Sequence, residues 1–95
     1  MIKGTTSTGF AYEYDETRLD DMRFVDVLAV VVDPEAPQFD KISGASKLLT
    51  MLLGEDMKKD LYAHIGKDHA GRVPRAELEK ALEEIMQTKD AEKNS

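Results

Sequence analysis

The run Phe24-Val25-Asp26-Val27-Leu28-Ala29-Val30-Val31-Val32 constrains this chain more than any other segment. It is the longest apolar stretch, and Asp26 interrupts it. A membrane-spanning helix needs about 20 apolar residues, so a run this short reads as part of a folded body. Its β-branched content favours a buried strand. Against that, Leu19, Met22, Val25, Leu28, Ala29 and Val32 recur at helical spacing from well upstream. Asp15, Glu16, Asp20 and Asp21 suit the positive end of a helix. Asp33-Pro34 then stops the element, because a residue before proline is pushed out of the α region. The longer-range spacing favours helix.

Around that segment the chain divides readily. Residues 1–9 are small, polar and bounded by glycine, and read as a flexible arm. Their single charge and lack of an apolar core are unlike a secretory signal. Phe10, Tyr12 and Tyr14 alternate with period two, so residues 10–14 are expected to form a short strand. Such a strand is not stable alone; it must add to another strand, a helix surface or a second copy. After the connector Pro34–Gln38, Ser43 or Ser46 can cap a helix carrying Leu48, Leu49, Met51, Leu52 and Leu53, closed by Gly54. Glu55 and Asp56 open a further helix with Met57, Leu61, Tyr62 and Ile65 on one side, ending at Gly66. Pro74 suits the first position of a last helix, with Leu78, Ala81, Leu82, Ile85 and Met86 inward. From Thr88 the composition predicts a disordered tail. The expected architecture is mainly α: one domain over residues 10–87, a small bundle of about four helices with a short N-terminal strand.

Chemistry is sparse. With no cysteine, thiolate metal sites and cysteine nucleophiles are excluded. His64 and His69 stand five residues apart across a glycine, so they form no i,i+4 metal pair. The loop Asp68-His69-Ala70-Gly71-Arg72-Val73 with Glu77 echoes a calcium-binding loop, but Gly66 and Ala70 fall where oxygen ligands belong. There is no phosphate-binding glycine loop and no nucleophile elbow. No enzyme, metal or cofactor is expected. A net charge of −6 opposes nucleic acid and anionic membrane as partners. The excess is local: residues 13–40 hold nine acids against Arg18 and Arg23.

What remains is apolar surplus in a chain of 95 residues, too short for a large core. Leu48, Leu49, Leu52 and Leu53 are adjacent pairs that cover more than one narrow stripe. Val27, Val30 and Val31 also lie off the main stripe of their element. Either a small core absorbs them, or some line a groove for a partner helix or another copy. Phe10, Tyr12, Tyr14, Leu48, Leu49, Leu52 and Leu53 are the candidate partner-binding residues.

The order of these features resembles the tail assembly chaperones of long-tailed bacteriophages and prophages of Gram-positive bacteria. The resemblance runs over residues 9–87. It rests on Gly9-Phe10-Ala11-Tyr12-Glu13-Tyr14-Asp15, Leu19-Asp20-Asp21-Met22-Arg23-Phe24-Val25 and Leu48-Leu49-Thr50-Met51-Leu52-Leu53-Gly54. Leu61-Tyr62-Ala63-His64-Ile65, Gly71-Arg72-Val73-Pro74 and Glu84-Ile85-Met86 complete it. The chain departs from the family at Met22, where many members carry an aromatic. The resemblance implies a protein of the bacterial host cytoplasm, absent from the mature virion. It would bind the long, apolar, helical tape measure protein and keep it soluble while the tail tube assembles. It also implies self-association, and a longer form, made by programmed frameshift, that recruits tail tube protein. Glu92-Lys93-Asn94 is compatible with a slippery codon heptamer at that point. The reading from another class is a small acidic regulator that mimics nucleic acid and binds a host protein.

Overall fold

A computed structural model describes the chain from Met1 to Lys93, with side-chain surroundings for residues 1–87. It begins with a hairpin, β1 (Ile2–Thr5) and β2 (Ala11–Tyr14), followed by a 3₁₀ turn (Glu16–Asp20). Three helices complete it: α1 (Met22–Val32), α2 (Gln38–Gly66) and α3 (Arg75–Lys93).

The hairpin corrects the expected flexible arm of residues 1–9. β1 runs antiparallel to β2 in the register Ile2↔Tyr14, Gly4↔Tyr12. This puts Ile2, Tyr12 and Tyr14 on one buried face. The turn is fixed by its own backbone, with Thr6 N–H donating to Phe10 O (2.9 Å) and Gly9 N–H to Thr6 O (2.9 Å). Ser7 ties it to α3 through its N–H (2.7 Å) and hydroxyl (3.0 Å), both donating to the Glu84 carboxylate. Of β1's four residues only Ile2 is a large apolar one, so no alternation announces a strand; pairing with β2 creates it.

Residues 22–32 are helical, as the spacing predicted. Asp21 caps α1 by accepting from Arg23 N–H (2.9 Å), and Asp15 caps the 3₁₀ turn in the same way through Thr17 N–H (3.0 Å). The helix count is three rather than about four. The expected break at Gly54 is present, but as a kink: the helices expected on either side of it are the two arms of one element, α2, of 29 residues. Gly54 alone leaves the helical region (φ 84°, ψ 166°). That conformation is nearly closed to any residue with a Cβ. Neither Ser43 nor Ser46 caps α2, which starts behind Pro37 with no side-chain cap. Pro74 stands just outside α3, its carbonyl accepting from Leu78 N–H (3.2 Å). α3 continues to Lys93, through most of the segment expected as a disordered tail; Asn94 and Ser95 lie outside the described residues.

One core joins these parts: the inner face of the hairpin, Leu48, Leu49, Leu52, Leu53, Leu61 and Ile65 of α2, and Leu78, Ala81, Leu82 and Ile85 of α3. α1 contributes Phe24 to it, with Val27, Leu28 and Val31 packed half-buried against it. It lies close against α2 at Gly44, where an added Cβ would sit 2.7 Å from Val31 Cγ2. None of the described helices is long and apolar enough to cross a membrane.

Candidate partner-binding surface

Nine of the eleven residues of α1 are apolar, Arg23 and Asp26 being the exceptions. An apolar surface this broad on a helix is normally enclosed by its neighbours. Here only Phe24 is fully buried, while Val27, Leu28 and Val31 are half-buried against the core. At 100° per residue, Met22, Val25, Ala29 and Val32 fall together in one sector of about 80°, next to the buried face. Met22 and Val32 are each 66% exposed and Val25 41%. Phe39, in the first turn of α2, is 79% exposed.

The stripe continues into a groove of about 630 Å³ between α1, α2 and α3. Its floor includes Leu28, Val31, Ala45 and Leu82, and Val32 belongs to both surfaces. Among the described residues, its polar border carries Glu79 and Glu83 with one cation, Lys41. The opposite side of the stripe is edged by Asp26 and Asp33, two helical turns apart.

The ends of α1 are fixed electrostatically. The Arg23 side chain and backbone N–H together hold the Asp21 carboxyl below the usual carboxylate range, and the pairing raises the Arg23 guanidinium. Asp33 accepts from Glu35 N–H (2.9 Å), turning the chain out of the helix.

A second groove, about 710 Å³, gathers Arg18, Arg23, Lys47 and Lys58. Three of these cations are already held within the chain. Arg18 donates to Met51 O (3.0 Å), Arg23 pairs with Asp21 (3.0 Å), and Lys58 donates to Thr50 Oγ1 (2.9 Å). They brace the 3₁₀ turn and α2.

All seven sequence candidates lie in the interior. Phe10, Tyr12, Tyr14, Leu48, Leu49, Leu52 and Leu53 are buried. Phe10 packs beside the His64 ring (5.6 Å between centroids), and the Tyr14 hydroxyl donates to Ile85 O (3.4 Å). In this fold they offer no surface to a partner; the bend at Gly54 lets both arms of α2 share their leucines with the hairpin and α3. Of the off-stripe valines, Val30 is exposed, whereas Val27 and Val31 are half-buried. Four members of the helical stripe named from the sequence, Met22, Val25, Ala29 and Val32, face outward instead of inward, and only Leu28 of its helical part is half-buried; Phe39 faces outward as well. The signal for that surface is the breadth of the apolar face of α1, nine residues of eleven, which is more than one neighbour covers.

His64 Nε2 lies 3.1 Å from both Thr8 Oγ1 and Thr8 O, helping to seat the hairpin turn. Among the described residues no three His, Asp or Glu side chains converge as a metal site requires. No protein-family model matches the chain, no curated protein matches it, and no solved structure matches it.

Proposed function

We propose that this chain is a phage tail assembly chaperone that binds the tape measure protein and keeps it soluble until the tail tube forms around it. One observation carries the reading: α1, nine-elevenths apolar, buries a single residue. Fully covering a valine or methionine is worth about 1.5–3 kcal/mol, so such a stripe holds an apolar helix without any chemical step. The net charge of −6 suits a holding protein, because like charge keeps loaded copies apart. The setting is the cytoplasm of a bacterial host, with tail tube protein recruited by a longer, frameshifted form.

The test is co-expression with the tape measure protein encoded beside this chain. The chaperone should move that protein into the soluble fraction and co-purify with it. An equally insoluble tape measure protein with and without the chain overturns the reading. So does a gene neighbourhood with no tape measure gene immediately downstream.

A further inference from the structure

We infer that the outer stripe of α1 receives an amphipathic partner helix whose apolar seam is bordered by lysine or arginine. This rests on the chaperone reading above and adds to it the place and the chemistry of the recognised segment. Met22, Val25, Ala29 and Val32 follow one another at steps of three, four and three residues, the spacing of a helix–helix seam. A second helix laid along it meets apolar side chains over the whole length of α1.

Charge decides which helix. One edge of the stripe carries Asp26 and Asp33, and the groove beyond Val32 is bordered by Glu79 and Glu83. Arg23, the one cation of α1, is already bound to Asp21, and among the described residues Lys41 is the one cation bordering the groove. A partner with acidic edges therefore meets like charge on both sides, and one with basic edges meets opposite charge on both.

The same reasoning disfavours a second copy of this chain. An antiparallel pair of α1 helices matches Met22 with Val32 and Val25 with Ala29, so the apolar seam alone would permit it. The two-fold axis of that pair also sets Asp26 beside its own symmetry mate and brings both Asp33 carboxylates to the same side. Like charges so placed oppose association.

The experiment uses the full chain and two synthetic helical peptides with one shared leucine seam, one edged with lysine and the other with glutamate. Binding is read by fluorescence anisotropy. The lysine-edged peptide should bind at least tenfold more tightly at low salt, and the gap should narrow as salt screens the rims. Asp26→Lys/Asp33→Lys should reduce or reverse the preference. Val25→Asp/Val32→Asp, whose positions lie outside the core, should abolish binding while the helical circular-dichroism signal stays unchanged. Equal binding of both peptides, tighter binding of the glutamate-edged one, or no binding of either overturns the inference. A dimer in sedimentation that Val25→Asp/Val32→Asp converts to monomer overturns it as well, since a second copy then occupies the face. If the Val25→Asp/Val32→Asp variant still holds the tape measure protein in solution, this surface is wrong and the chaperone reading stands. If the unaltered chain fails to hold it, the chaperone reading itself falls.

Discussion

Ser46 Oγ lies 3.1 Å from the hydroxyl oxygen of Tyr62, although 16 residues separate them within one helical element. In a straight helix that separation spans about 24 Å. The contact therefore measures how sharply α2 folds back at Gly54. Thr50 and Lys58, also equidistant from Gly54, close the same bend (2.9 Å).

Gly54→Ala is accordingly expected to destabilise the fold by about 1–3 kcal/mol, since its backbone (φ 84°, ψ 166°) suits glycine alone. For a domain of this size each kcal/mol lowers the melting temperature by about 4–8 °C. A thermal melt followed by circular dichroism measures it. A melt equal to that of the parent chain would show that the bend tolerates a Cβ.

Gly44→Ala should push α1 away from α2, because the new Cβ would fall 2.7 Å from Val31 Cγ2. Overpacking of this kind costs about 1–3 kcal/mol. Val31→Ala removes the obstructing methyl, so the double variant should lose less than the two single losses added together. Additive losses would place the strain elsewhere.

Asp21 gives a pH signature. Its carboxyl is held low by Arg23, through the side chain first and the backbone N–H second. A depressed acid stabilises the fold above its ordinary value of 3.8 and loses that contribution as pH falls through the lower, folded value. Asp21→Ala should therefore be less stable than the parent at pH 7 and nearly equal to it at strongly acidic pH. Asp21→Asn keeps a capping oxygen and should recover part of the loss. Chemical denaturation across the pH range checks both.

Core and stripe should respond in opposite ways. Leu52→Ala removes a buried side chain and should cost about 2–5 kcal/mol. Val32→Ala, on the outer face, should stay within about 0.5 kcal/mol of the parent in stability. Equal losses at the two sites would mean that α1 is covered in solution.

The helical elements and the bend were legible because periodicity, proline and glycine act locally. Asp33-Pro34 ended α1, and Gly54 marked the place where α2 changes direction. What stayed hidden depended on distant partners. Ile2 becomes a strand residue only because Tyr14 lies opposite it, and no local pattern records that pairing. The candidate surface failed for a related reason. The leucine pairs looked like surplus because each was weighed on a single helix, whereas the bend of α2 presents them to several neighbours at once. In α1 the helical period was legible but its inward side was not: α1 packs on α2 at Gly44 through Val27 and Val31, which turns Met22, Val25, Ala29 and Val32 outward.

The hairpin is held to α3 by Ser7 on Glu84 and by Tyr14 on Ile85. During synthesis, Tyr12 and Tyr14 therefore leave the ribosome long before α3 exists to cover them. The native fold closes only after α3 has been made, well after the hairpin itself. Until then the nascent chain carries an uncovered aromatic ladder of its own.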